Sequence, residues 1–475
     1  MTIYWRARPI NKMSSNLSSK LFLYSLLFIA LTIPFQWKYL PFSVGITMLG
    51  LVWFFGGNLT QKIKKFAKNP FSILLSGLYI IYLISILYSE NKEYAYTDLL
   101  LKLPLLLFPL FLSTTDSLNN SQYKSVLRTF AISTFFAAIV TLLIGYCHYR
   151  QTDLIKYFFY HDLTIFMHSA YYALYAMFAI VIFIYLFNKT ENKKSKIAYS
   201  SMALGLSIFL FLLSSRMQIL IFLILLTAYI IVKAFQKKRI ILGAIILCIS
   251  HACIFLLVTK MPKTSERLQQ TKEHIKNINY SQTNSDARVQ IWKAAFVVIK
   301  MNYWIGTGIG DVKDELVFQY KFLSSNDSDK EKEIDGKIIE IRNNENWFLH
   351  IKEKAIVNNI SVEDQLYTDA IFVLGDTKNR YKFFIKKGYN YHSQFLQTLS
   401  AVGLLGFFFL FFSLLIPAYR IGLKNRNFLL LIFFFIVFVS FITESMLERQ
   451  AGVILFAFFS SFMVFNSKTI NDKPS

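Results

Sequence analysis

The side chains with chemistry to offer stand at the margins of long apolar runs, where a charge beside hydrocarbon is costly unless a partner or a ligand offsets it. Arg216 ends the short polar break Ser214-Ser215-Arg216 between two such runs. Its fork of donors suits a clamp on an anion, and its long stem equally suits an interfacial cation reaching for headgroups. Arg288 opens a stretch that continues through Trp292 to Gly306-Thr307-Gly308-Ile309-Gly310. Such glycines let backbone N–H groups approach a ligand, or simply form a turn; without a following Lys-Ser/Thr they are not a P-loop. His392 lies in Tyr391-His392-Ser393-Gln394, just ahead of the apolar run from Phe395 to Leu410. There an imidazole can take a proton from a substrate hydroxyl near neutral pH, or cap a helix at headgroup level. Glu444, Glu448 and Arg449 crowd one turn, as an ion-pair network joining two helix ends or as groups that orient an Arg or His in a site. His161 and His168 read as interfacial. No histidine or carboxylate has metal-ligand spacing, so metal-independent chemistry without a cofactor is expected.

These residues need a scaffold, and composition defines its class. The chain has 475 residues, of which 55% are hydrophobic, 17% aromatic and 17% charged, too much apolar surface for a soluble core of this size. The net charge of +23 does not imply nucleic acid, because Lys and Arg sit in short clusters between apolar runs and form no basic stripe interleaved with exposed aromatics. Cys147, Cys248 and Cys253 lie in or beside apolar segments without metal-like spacing and read as packing residues. The first apolar run, Leu21 to Pro34, lacks a small-residue cleavage site after it and reads as a retained helix.

The expected fold is an all-α polytopic membrane protein of about twelve transmembrane helices. Candidate spans are 21–36, 39–56, 70–88, 99–113, 129–147, 168–187, 197–213, 217–232, 240–259, 394–418, 427–443 and 451–466. Basic clusters fall in alternate loops: Arg6, Arg8, Lys12 and Lys20; Lys62, Lys64, Lys65 and Lys68; Lys124 and Arg128; Lys189, Lys193, Lys194 and Lys196; Lys233, Lys237, Lys238 and Arg239; Arg420, Lys424 and Arg426. By the positive-inside rule these loops and both termini are cytoplasmic. The intervening loops, with little basic charge beyond residues such as Lys38, face outward, and parity carries 260–391 outward with them. The organisation is therefore a bundle over 1–259, a large outward loop over 260–391 and a closing bundle over 392–475.

Within the loop, Asp286 to Lys300 has the apolar spacing of an amphipathic helix through Val289, Trp292, Ala295 and Val298. Farther on, Lys337–Ile341, Trp347–Ile351, Ala370–Leu374 and Tyr381–Ile385 are short runs rich in β-branched and aromatic residues, separated by turn-prone pieces such as Asn343-Asn344 and Gly375-Asp376. They predict a small β-rich insertion.

As a set, these features resemble the O-antigen ligase and O-antigen polymerase family of bacterial surface-polysaccharide enzymes. The likeness is carried by Ser214-Ser215-Arg216 opening a helix, by Arg288-x-x-x-Trp292 leading through Asn302-Tyr303-Trp304 to Gly306, Gly308 and Gly310, and by His392-Ser393-Gln394-Phe395-Leu396 followed by Gly403 and Gly406. The long loop late in the chain fits as well. The resemblance implies glycosyl transfer at the periplasmic face of the bacterial inner (cytoplasmic) membrane, from an undecaprenyl-diphosphate-linked glycan to a lipid A-core hydroxyl in a ligase or to a growing glycan in a polymerase. It implies that Arg216 and Arg288 bind the donor diphosphate and that His392 activates the acceptor hydroxyl; Glu444 and Arg449 are further substrate-binding candidates by their place in the last outward turn alone. Two departures stand out: Ser393 where the family often has Asn, and a longer insertion, about 325 to 386, than the family pattern leads one to expect. A major-facilitator transporter should instead show two similar six-helix halves, which are not evident here. A nonenzymatic assembly factor would not need the outward Arg and His residues.

Overall fold

The computed structural model describes residues 15–36, 42–260, 287–324, 328–358, 360–374, 381, 384–386 and 388–467. Arg6, Arg8, Lys12 and Lys38 of the charge pattern, Asp286 and the Gly375-Asp376 turn lie outside the described residues. Every regular element among those described is helical. The first half runs α1 (Ser15–Thr32), α2 (Phe42–Phe55), α3 (Leu59–Lys68), α4 (Pro70–Ser85), α5 (Lys92–Lys102), α6 (Pro104–Thr114), α7 (Asn120–Thr152), α8 (Tyr160–Leu163), α9 (Ser169–Lys189), α10 (Lys193–Leu212), α11 (Arg216–Gln236) and α12 (Ile240–Lys260). There follow α13 (Ala287–Met301), α14 (Val312–Ser324), α15 (Ser328–Asn343), α16 (Glu345–Asn358), α17 (Val362–Leu374), α18 (Gln394–Pro417), α19 (Phe428–Thr443) and α20 (Gln450–Phe465). Asparagines begin several of them: Asn58, Asn119, Asn192 and Asn427 each accept backbone N–H bonds at a helix start.

Among the described residues, six helices are long and apolar enough to cross a membrane: Lys92–Thr114, α7, α9, α10, α11 and Gln394–Leu423. Ser43–Phe55 and Leu59–Lys68 pass the same test only as a pair bent by 109°, and five further apolar helices are shorter. The chain is thus a multi-pass membrane protein. It separates into two compact units, one of 1–81, 99–267 and 408–475, the other of 82–98 and 268–407.

The first unit is built around α9 and α20, which are buried along most of their length. Phe178 of α9 meets Phe433 and Phe459 at ring-centroid distances of 4.8 and 4.9 Å, and Phe130 of α7 closes on Phe459 at 4.6 Å. Such tilted and edge contacts pack aromatics well where no water is available. The cysteines are not packing residues: Cys147, Cys248 and Cys253 are all exposed on the outer faces of their helices.

The second unit contains α13, whose existence and limits match the amphipathic spacing. Its buried face runs through Ile291, Ala294, Ala295 and Val298, while Val289 is exposed. The β-rich insertion is not found. Its runs lie in α15, α16 and α17, and residues 381 and 384–385 are also helical. Ile334, Ile341, Ile351, Leu366 and Ala370 form one fully buried cluster, edged by Ile338, Trp347 and Tyr367. The spacing 334, 338, 341 is one face of a helix, and burial of that face overrides the β propensity of isoleucine. Gly336 interrupts α15 on its exposed side with no atom within 4 Å of a Cβ there. Gly336→Ala is expected to stabilise α15 by about 0.5–1 kcal/mol, read as roughly twofold to fivefold slower amide exchange along that helix.

Candidate active site

His392 is placed by three neighbours. Its φ of +45° puts it in the left-handed region, which a non-glycine residue adopts only when its surroundings require it. The backbone N–H of His392 donates to Asn390 Oδ1 at 3.1 Å, and its ring lies 5.3 Å from that of Tyr389. Trp292 Nε1 donates to the Tyr391 carbonyl at 3.1 Å, and the buried Tyr391 hydroxyl donates to the Val312 carbonyl at 3.0 Å. Tyr389 meets Phe384, which meets Tyr320 and Tyr381, so a run of rings backs the histidine. Burial pushes the Tyr320 and Tyr381 phenols above their ordinary range, which keeps this wall neutral.

Arg288 sits one helical turn before Trp292 on α13, so the residue that anchors the histidine segment shares a face with it. The structure therefore brings Arg288 and His392 into one unit through Trp292 and Tyr391. Trp292→Phe keeps the ring and removes the bond to Tyr391. Amide exchange over 390–393 is expected to accelerate roughly threefold to tenfold, in line with the usual worth of one hydrogen bond.

The glycine run is not a ligand cradle. The Gly306 N–H bonds to the Asn302 carbonyl at 2.8 Å, those of Thr307 and Gly308 to the Ser400 and Ala401 carbonyls at 2.8 and 2.9 Å, and those of Ile309 and Gly310 to the Ser85 and Ser89 hydroxyls at 3.2 and 3.1 Å. All five donors are taken by protein. The carbonyls of Ser400 and Ala401 are open because α18 breaks at Val402 and Gly403, and the Leu404 N–H bonds the Tyr303 carbonyl at 2.9 Å to complete the clasp. A Cβ at Gly306 would overlap the backbone of Ala401 and Val402, and one at Gly403 the carbonyl of Trp304. Next to the run, Asp311 accepts the N–H groups of Glu90 and Asn91 at 2.7 and 2.8 Å, capping the approach to α5. Gly403 has φ +62° and ψ −162°, a region open essentially to glycine alone. Gly403→Ala is expected to cost about 1–3 kcal/mol from backbone strain before any overlap is counted, seen as a lower melting temperature in detergent.

Arg216, Glu444 and Arg449 belong to the other unit. Arg216 is the first residue of α11, after Ser214 in a left-handed conformation at φ +49°. Gln218 Nε2 donates to Ser440 Oγ at 2.8 Å, which sets the first turn of α11 beside the last turn of α19, so Arg216 and the α19 cap Glu444 share one end of this unit. Glu444, Glu448 and Arg449 all lie close enough to the Tyr171 hydroxyl to interact electrostatically, and that hydroxyl donates to the Ser445 carbonyl at 3.3 Å. Glu448 pairs at 3.0 Å with Lys102, whose side chain is fully buried. Lys102 was detectable as the single charge within Leu99–Phe111. His168 Nδ1 accepts the Ala170 N–H at the start of α9, and His161 lies against it at a ring distance of 4.5 Å. Among the described residues, no group of three or more His, Cys, Asp or Glu could hold a metal ion.

Helices of membrane-spanning length define a multi-pass membrane protein, with polar groups gathered at several helix ends. Residues 200–351 match the family described as O-antigen ligase. Arg216 and Arg288 lie inside the matched residues and His392 beyond them. No curated protein matches the chain.

Proposed function

We propose that the protein is an O-antigen ligase-type enzyme of the bacterial inner membrane, transferring a glycan from undecaprenyl diphosphate to a hydroxyl of lipid A-core on the periplasmic side. The observation that carries this reading is the family match across both candidate arginines. In the reaction, His392 takes the proton of the acceptor hydroxyl while its oxygen attacks the anomeric carbon. The bond from that carbon to the diphosphate oxygen breaks with inversion, and undecaprenyl diphosphate leaves. Arg216 and Arg288 bind the diphosphate and stabilise the charge that grows on it. The position of Arg216 suits this role, because an anion at the N-terminus of α11 is attracted by the helix dipole as well as by the guanidinium. Glu444 and Arg449 shape the same end of their unit as Arg216 and take part in substrate binding. The five shorter apolar helices and the bent pair join the six long ones to make twelve crossings, with both termini cytoplasmic and the large loop periplasmic.

The test is the lipopolysaccharide profile of a strain lacking the gene, with and without the chain restored. Ligase activity gives ladder-bearing lipopolysaccharide only in the restored strain, with long lipid-linked glycan accumulating in the deletion. Accumulation of single repeat units on lipid identifies a polymerase instead, and identical profiles in both strains overturn glycosyl transfer.

A further inference from the structure

A cavity of about 510 Å³ opens between α9, α11 and α19, all within the first unit and away from the Arg216 end. Its walls are apolar over most of their length, with Val181, Leu225, Leu226 and Ile432 among the residues that line it. One end is different. There Asn188 and Lys189, from the last turn of α9, meet Tyr229 and Lys233, from the last two turns of α11. Asn188 Nδ2 lies 3.5 Å from the Tyr229 hydroxyl, and the Lys233 ammonium stands 5.7 Å from the centre of the Tyr229 ring. Lys233 is 17 residues after Arg216 on one helix, a rise of roughly 25 Å, which is close to the thickness of the hydrocarbon layer. The cavity is of ligand size, and in a membrane helix bundle an apolar cleft capped by two cations at headgroup depth has the polarity of one molecule of anionic lipid.

We propose that this cleft binds a single anionic phospholipid, one of its two acyl chains between α9, α11 and α19 and its phosphate held by Lys189 and Lys233, at the membrane face opposite Arg216. Arg216 and the residues proposed for glycosyl transfer do not line it, so the site does not depend on that reading. Lys233, aligned over Tyr229, presents a preset cation, while Lys189 and the amide of Asn188 supply donors from the neighbouring helix. A neutral lipid fills the same apolar walls without answering the charge.

The experiment is native mass spectrometry of the full chain in neutral detergent, with added phosphatidylglycerol or phosphatidylcholine of identical acyl chains. One phosphatidylglycerol is expected to bind about 10- to 30-fold more tightly than phosphatidylcholine. The double variant Lys189→Gln/Lys233→Gln should lose that preference and keep the weaker, charge-independent binding. Ala228→Trp, which fills the cleft from α11, should remove the tight site for both lipids. Equal binding of the two lipids by the unaltered chain, or an undiminished preference in the double variant, means annular lipid only and overturns the proposal. Displacement of phosphatidylglycerol by millimolar inorganic phosphate would mark a plain anion site and overturn it as well.

Discussion

Replacing His392 by asparagine is expected to reduce glycan transfer by at least about a hundredfold while leaving the protein folded and able to bind the lipid-linked donor. The choice of residue follows from the backbone. At φ +45° alanine would add strain of its own, whereas asparagine tolerates the left-handed region and keeps the Asn390 turn and the Trp292 bond to Tyr391. What the substitution removes is the proton acceptor. His392→Ala should therefore be equally inactive and somewhat less stable. The measurement is transfer from lipid-linked glycan in proteoliposomes, with donor binding followed separately. Near-normal turnover by His392→Asn would eliminate a general-base role for this side chain and leave it a helix-capping residue.

Glu448→Ala is expected to destabilise the first unit by about 1.5–3 kcal/mol, enough to reduce the yield of folded protein. Lys102 is fully buried and its ammonium pairs with Glu448 at 3.0 Å, so the substitution removes a counter-charge where the effective dielectric is low. Replacing both partners by apolar residues of similar size, Lys102→Met with Glu448→Leu, should recover most of the loss, because it removes the buried charge along with the pair. Thermal unfolding of the unaltered chain, Lys102→Met, Glu448→Leu and the combined variant in one detergent completes a double-mutant cycle. A single variant as stable as the unaltered chain would show that the pair contributes nothing to the turn that carries Glu444 and Arg449.

Much of the helical scaffold was legible because a bilayer leaves the backbone little choice: long apolar runs must satisfy their own hydrogen bonds, and helices do so. The amphipathic spacing of α13 was readable for the same kind of reason. The insertion misled because Ile334, Ile338 and Ile341 carry two signals at once, β-branched chemistry and helical spacing, and only the presence of a common core with Ile351 and Leu366 decides between them. The glycine run advertised open backbone; that its donors are taken by Ser400, Ala401, Ser85 and Ser89 depends on segments distant in the chain. Lys102 drew no reading from the sequence, because Glu448, with which it pairs, lies far along the chain. The arginines and the histidine could be picked out individually, but their assignment to different compact units is a property of packing and not of spacing.

The clasp between Gly306 and the break in α18 also constrains how such a chain can change over generations. Each glycine is required by the backbone adjoining the other: Gly306 has no room beside Ala401 and Val402, and Gly403 none beside Trp304. Neither position can drift alone, and a lineage that straightened the broken helix would release both at once. In descendants of a common ancestor the two should therefore be kept together or lost together, while Gly336, with open space around it, varies freely.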